Sequence, residues 1–194
     1  LNLTYPELFS DTPIEGEPVP TIVCIGKEGV FDNLKALFSE VMEMFPDSRY
    51  FHIGGDEARY GKWRKCPKCQ EKMKENGIKN EKHLQMYFMG RVNEMLRHRG
   101  KTCIAWNDCL GDELDKNIIC HYWTFQNAVT VKKQAKKREV ILSPMLDFYF
   151  NYSYGSIPLK KTYKFNEKKK GFHKKGVRVK GIEGELWTEW IDTP

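Results

Sequence analysis

The stretch Tyr50-Phe51-His52-Ile53-Gly54-Gly55-Asp56-Glu57 decides how this chain is read. Its first four residues form a short apolar run of the kind that is buried in a parallel sheet. The two glycines remove all side-chain bulk where the strand ends, so a ligand can approach the backbone there. Two carboxylates then emerge into that space. Parallel α/β folds build their sites at the C-terminal ends of strands, which makes Asp56 and Glu57 candidate catalytic residues. A bend after Gly54-Gly55 would aim both carboxyls at one ligand from unequal environments, the condition under which one stays protonated while its neighbour stays ionised. The bland alternative is a Gly-Gly turn with two solvated acids.

On either side, apolar strands alternate with stretches of helical period. Upstream, Val30, Leu34, Leu37, Phe38, Val41, Met42 and Phe45 recur at spacings of three and four, so a helix spans residues 30–45 and stops at Pro46. Downstream, Leu84, Tyr87, Phe88, Val92, Met95 and Leu96 mark a second helix over about 81–98, ended by Gly100. Strands follow at 102–106, 118–123, 140–143 and 177–186, with a further helix at 127–138. Near-continuous apolar strands separated by helices indicate a parallel sheet covered on both faces, an α/β layer or barrel. About five strands are visible, whereas a closed (β/α)₈ barrel needs eight and about 250 residues.

Trp106, Trp123 and Trp187 each fall at the C-terminal end of a separate strand, the rim that also carries the two carboxylates. Indoles converging on a cleft make flat apolar walls for a sugar ring or an acyl group, although core packing beneath loops is the ordinary alternative. Asn107, Asp108, Glu183, Glu185, Glu189, Tyr149 and Asn151 lie beside these strand ends and offer the hydrogen bonds a polyhydroxylated ligand needs.

Composition bounds the remaining options. The chain has 194 residues, 40% hydrophobic and 13% aromatic, enough for one globular unit with a sizeable core. Its net charge of +6 resides in one segment, since residues 160–180 hold ten Lys/Arg against Glu167 alone, a local +9 that leaves −3 for the rest. The aromatics there are sparse, so a solvated surface is expected and no nucleic-acid partner. No apolar run reaches the ~18 residues of a membrane span. The first residues carry no leader, and with no initiator Met an export signal upstream, hence a periplasmic or extracellular site, is the mild expectation. Of six cysteines, Cys24, Cys103 and Cys120 sit in apolar runs as small hydrophobes. Cys66-Pro-Lys-Cys69 has the spacing of a zinc knuckle or redox pair, but no second CxxC or HxxxH accompanies it, and a tight turn opening a helix is expected. The histidines show no ligand spacing with the acids, so neither metal nor cofactor is expected.

Together these residues resemble the catalytic domain of the family-20 glycoside hydrolases, the β-N-acetylhexosaminidases. The resemblance runs over essentially the whole chain: Tyr5-Pro6-Glu7-Leu8, the HxGGDE block at 52–57, Lys101 to Asp108, His121-Tyr122-Trp123, Ser143-Pro144, and Leu186-Trp187-Thr188-Glu189. Ala105 and Asp108 stand where the family commonly has Gly and Glu. The resemblance implies a partial (β/α)₈ TIM barrel, with about strands four to eight present, so residues 1–194 are expected to be the C-terminal portion of the catalytic barrel. The open sheet edges would then favour self-association.

It also implies retaining hydrolysis assisted by the substrate's own 2-acetamido group, an exception to the two-carboxylate scheme. Glu57 resembles the general acid/base and Asp56 the residue that holds the acetamido N–H and steadies the charged intermediate. Tyr149 resembles the donor to the acetamido carbonyl. Trp106, Trp123 and Trp187 resemble the acetamido-pocket walls, and Glu189 and Asn151 the binders of the terminal sugar's hydroxyls. Asn151 replaces the more usual Asp, a change that would admit an anionic 6-substituent. The partner implied is a glycan containing N-acetylhexosamine. A catalytically impaired fragment that binds N-acetylhexosamine without cleaving it is the alternative. Residue chemistry agrees with the substrate-assisted scheme, because a carboxyl adjacent in sequence to the acid cannot reach the opposite ring face as a nucleophile.

Overall fold

The computed structural model describes residues 22–188. The chain divides into two compact units, Leu1–Cys103 and Ile104–Pro194. Strand order in the sheet follows chain order.

In the first unit, α1 (Gly29–Met44) is followed by β1 (Tyr50–His52), α2 (Tyr60–Lys65), α3 (Pro67–Glu75) and α4 (Glu81–Arg97). α1 buries Val30 fully and leaves most of the expected stripe half-buried, with Phe45 exposed; Phe31, outside that stripe, packs against Phe88 of α4 at a centroid distance of 5.6 Å. Phe38 meets Phe51 of β1 edge-on at 5.1 Å. Asn80 caps α4 by accepting from the His83 N–H at 3.1 Å, and the helix buries Leu84, Met86, Met89, Val92 and Leu96. Lys101 then collects the backbone carbonyls of Phe45, Pro46 and Ser48 at 2.6–3.3 Å, closing the turn that leads into β1. The Thr102 N–H donates to the Arg49 carbonyl at 2.8 Å, setting the start of β2 (Thr102–Trp106) beside the entry to β1.

In the second unit, the end of β2 pairs in parallel with β3 (Ile119–Tyr122), which pairs with β4 (Glu139–Leu142), which pairs with β5 (Arg178–Ile182). The register aligns Trp106 with His121 and His121 with Ile141. β3 is buried at every position, as its unbroken apolar run requires. A bulge between Val140 and Ile141 offsets β4 against β5. Short helices α5 (Ala128–Gln134), α6 (Met145–Phe148) and α7 (Leu159–Tyr163) occupy the connections. Arg138, fully buried, donates to the carbonyls of Leu114, Asp115 and Ile118 at 2.8–3.2 Å and so holds the loop between β2 and β3.

Two expected elements are shorter than the sequence suggests. The helix over 127–138 runs only from Ala128 to Gln134, because Phe125–Asn127 forms a 3₁₀ turn and the chain turns again before Arg138. The strand over 177–186 stops at Ile182, beyond which Gly184 lies so close to the Phe150 ring that a Cβ would sit 2.3 Å from it. The lysine-rich 160–180 segment is α7, then exposed turns, and it ends in the first residues of β5. Two of its three aromatics pack inward, Phe165 edge-on against Phe148 at 4.7 Å and Phe172 against Tyr122 at 5.6 Å, while Tyr163 is exposed. No described helix is long and apolar enough to cross a membrane.

Candidate active site

In the first unit, β1 ends at His52, and the Gly54 N–H donates to His52 Nδ1 at 3.1 Å, bending the chain at once. Gly54 and Gly55 adopt φ of 68° and 97°, which an L side chain rarely accepts, so the two glycines are required by the turn itself. Gln85 of α4 donates to the Gly55 carbonyl at 2.9 Å and accepts from Tyr60 Oη at 2.7 Å, tying the bend to two helices. Asp56 and Glu57 follow, both exposed. Glu57 has φ of 45°, the left-handed region, and is the only non-glycine residue there among those described. Such a conformation costs on the order of 1–3 kcal/mol and persists only where the surrounding structure imposes it. Asp56 and Glu57 line a cleft of about 480 Å³ with Arg59, Trp63, Gln85 and Phe88.

In the second unit, the three tryptophans converge. Trp106 meets Trp123 edge-on at a centroid distance of 6.3 Å and Trp187 at 6.2 Å. Tyr149 closes the ring, near-parallel to Trp123 at 6.1 Å and tilted against Trp187 at 6.2 Å. Trp106 and Tyr149 are buried, whereas Trp187 is 41% exposed and forms the open side. Four aromatic faces thus frame one apolar recess within a single unit. Tyr149 is held by a parallel bridge to Glu185, with the Phe150 N–H donating to the Glu185 carbonyl and the Glu185 N–H to the Phe148 carbonyl. Asn151 follows, half-buried. Glu189 lies outside the described residues, as does Tyr5-Pro6-Glu7-Leu8.

Several residues read as ligand-binding groups instead support the cage. Asn107 is fully buried; its side-chain oxygen accepts the N–H groups of Trp123 (2.8 Å) and Thr124 (3.2 Å), and its amide donates to the Thr124 carbonyl at 3.1 Å. Asp108 accepts from Trp123 Nε1 at 2.6 Å and fixes that indole. Glu185, also buried, accepts from Ser143 Oγ at 2.7 Å. A side chain next to a strand-end Trp can turn inward or outward, and the sequence alone does not say which.

The spacing of His121 suggests no role, yet the residue packs against the cage. Its ring stacks on Trp106 at 4.2 Å, and its Nε2 lies 3.3 Å from Glu185 Oε1 and 3.9 Å from Glu183 Oε2. The discoverable signal was its place on β3, opposite Trp106 in register. These three residues bring an imidazole and two carboxylates within ligating distance of one another. Glu185 Oε1 accepts from Ser143 Oγ and faces His121 Nε2, so a carboxylate lies beside the ring that stacks on Trp106. Partial burial, with Glu185 nearby, raises the Glu183 carboxyl above its usual range.

Comparison with known proteins accords with this architecture. A β-hexosaminidase of Porphyromonas gingivalis is 31% identical over 185 residues, covering 89% of this chain and 24% of that protein. An exo-β-N-acetylglucosaminidase of Vibrio harveyi, solved with N-acetylglucosamine, shares the fold at a TM-score of 0.83 and 24% identity, over 100% of this chain and 33% of that one. A chitobiase of Flavobacterium johnsoniae superposes at a TM-score of 0.69 with 28% identity, over 97% of this chain and 30% of that one. The chain therefore spans about a quarter to a third of the length of these proteins. The parallel five-stranded sheet with its helices is part of a TIM-type (β/α) barrel. The model of the catalytic domain of glycosyl hydrolase family 20 matches residues 4–194, and the chain belongs to that family.

Proposed function

We propose that this chain carries the recognition and bond-cleaving residues of a β-N-acetylhexosaminidase, which removes terminal N-acetylglucosamine or N-acetylgalactosamine from glycans by substrate-assisted retaining hydrolysis. The observation that carries the reading is the four-sided aromatic cage of Trp106, Trp123, Tyr149 and Trp187, whose flat apolar faces suit the methyl and amide plane of an acetamido group. Tyr149 Oη donates to the acetamido carbonyl, and Asp56 accepts from its N–H. So oriented, the carbonyl oxygen attacks C1 as the glycosidic C–O bond breaks, and Glu57 delivers its proton to the leaving oxygen. The resulting oxazolinium, whose charge Asp56 steadies, is opened by water, which gives its proton back to Glu57. Asn151 and Glu189 bind hydroxyls of the terminal sugar.

Hydrolysis of N-acetylglucosaminides tests these roles. Glu57→Gln should abolish turnover of unactivated glycans while keeping some turnover of aryl glycosides with good leaving groups, because general-acid assistance is typically worth about 10²- to 10⁴-fold and an activated leaving group needs little of it. Equal loss on both substrate types would remove Glu57 as the acid. Asp56→Asn should lower turnover of both, since the internal nucleophile is no longer oriented.

A second reading is supported by the confinement of the recess to one unit: the chain binds N-acetylhexosamine without cleaving it. Calorimetry with N-acetylglucosamine beside a nitrophenyl glycoside assay separates the two. Self-association through sheet edges is a further part of the proposal, and light scattering reads it directly; a monomer at all concentrations would contradict it.

A further inference from the structure

We propose that Cys24, Cys66 and Cys69 form a Zn²⁺-binding site in the first unit, three thiolates holding the ion and an exogenous ligand completing its fourth coordination corner. Cys24 Sγ lies 3.5 Å from Cys66 Sγ and 3.6 Å from Cys69 Sγ, and all three sulfurs fall within 4.8 Å of one another. Zinc–thiolate bonds of about 2.3 Å in a tetrahedron set the sulfurs about 3.8 Å apart, within a few tenths of an ångström of the two separations from Cys24. The CxxC pair lacks a second pair in the sequence because its partner is one cysteine from a segment 42 residues upstream of Cys66.

The backbone on both sides is shaped for this convergence. Cys66 caps the N-terminus of α3 and Cys69 lies one turn into it, so both sulfurs face the same way. Opposite, the Lys27 N–H donates to the Cys24 carbonyl at 3.0 Å and closes a tight turn. Gly26 in that turn presses on the CxxC backbone: a Cβ there would sit 2.2 Å from the Lys68 carbonyl oxygen and 2.8 Å from the Cys69 nitrogen, so only glycine permits the approach. Two further bonds lock the segments together, Trp63 Nε1 to the Val23 carbonyl at 2.9 Å and Lys72 to Glu28 at 2.5 Å. The sulfurs lie among Ile25, Trp63, Met73 and Leu84, all buried.

Ligand chemistry selects the ion. Three soft thiolates with no oxygen ligand in the group favour zinc over magnesium or calcium. Each thiol releases its proton to solvent as its sulfur binds, and the dication offsets two of the three negative charges thus placed in an apolar setting. The other cysteines provide an internal control: Cys103, Cys109 and Cys120 are equally buried but belong to no such group.

Cobalt substitution tests the site without any glycoside assay, so its outcome is independent of the hydrolase reading. The full chain, reduced and freed of metal, is titrated with Co²⁺ and then with Zn²⁺. One equivalent of Co²⁺ should produce thiolate-to-cobalt charge transfer and the intense visible bands of a tetrahedral centre, and one equivalent of Zn²⁺ should erase both. Cys24→Ser and Cys69→Ser should each weaken Co²⁺ binding at least tenfold, and Cys120→Ser should not. Should either serine variant fail to fold, alkylation of the unmodified chain decides: Zn²⁺ must protect Cys24, Cys66 and Cys69 beyond whatever protection the metal-free chain shows. Absence of charge transfer, zinc-dependent protection of another set, or a disulfide among the three with no metal uptake after its reduction would each overturn the assignment.

Discussion

Replacing Asn107 with Ala tests whether the recess is held open from below. The side chain accepts two backbone N–H groups, from Trp123 and Thr124, and donates to the Thr124 carbonyl, all in a position with no solvent exposure. Alanine leaves both N–H groups without their acceptor. A stranded buried donor costs about 1–3 kcal/mol; Trp123 is only half-buried, so water reaching its N–H lowers that share, and the sum comes to ~3 kcal/mol. For a chain of this length that corresponds to a fall in Tm of roughly 6–12 °C. Urea unfolding followed by tryptophan fluorescence measures the loss, and near-UV circular dichroism reports whether the Trp123 indole has left its place against Tyr149. Binding of N-acetylglucosamine should weaken in parallel. A loss below 1 kcal/mol with an unchanged near-UV spectrum would show that the 123–124 turn stands without Asn107, and the account of how the recess is built would fail.

Further expectations follow from other buried or crowded groups. Arg138→Met keeps the apolar stem but strips donors from three loop carbonyls, and should cost about 3–5 kcal/mol in urea unfolding; a change under 1 kcal/mol would refute its role as the loop's anchor. The Glu183 carboxyl is raised in the fold, so its charged form is disfavoured there: it contributes nothing adverse while protonated in acid and becomes unfavourable as pH rises through the raised value. Glu183→Gln should therefore gain more in Tm over the parent chain at pH 7 than at pH 4, and equal gains would contradict the sign. For Asn151, the missing negative charge should favour 6-sulfated over plain aryl N-acetylglucosaminides relative to Asn151→Asp; no difference between the two would dismiss its part in that preference.

What was legible in the sequence was the periodic part. α1, α4 and β1 to β4 lie within a few residues of their expected places; α4 and β2 to β4 bury much of their apolar stripes or runs, whereas α1 buries Val30 and Phe31 alone and β1, read as a buried strand, leaves Tyr50 and His52 exposed. α2 was not legible, since Tyr60–Lys65 is short and basic with too few apolar positions to establish a period, and α3 was legible at its start alone, where Cys66-Pro67 opens the helix. The convergence of Trp106, Trp123 and Trp187 was legible, because the three tryptophans stand at equivalent strand ends. Side-chain direction was not. Asn107 and Glu185 read like ligands from their neighbours, yet both turn into hydrogen-bond networks that only the pairing of β2, β3 and β5 with their flanking loops brings together. The partnership of Cys24 with the CxxC pair escaped for the same reason, since it depends on one turn docking against one helix start.

The left-handed backbone of Glu57 carries a consequence for how this chain can be improved. Glycine or asparagine would occupy φ of 45° at lower energy, so the position is a standing opportunity for a more stable protein. Libraries screened for heat resistance alone will be drawn to it and will discard the carboxylate, whereas on the proposed role of Glu57 selection for turnover will keep the strain. Residue 57 is thus where durability and usefulness pull in opposite directions, and a thermostable variant has to find its gains elsewhere in the chain.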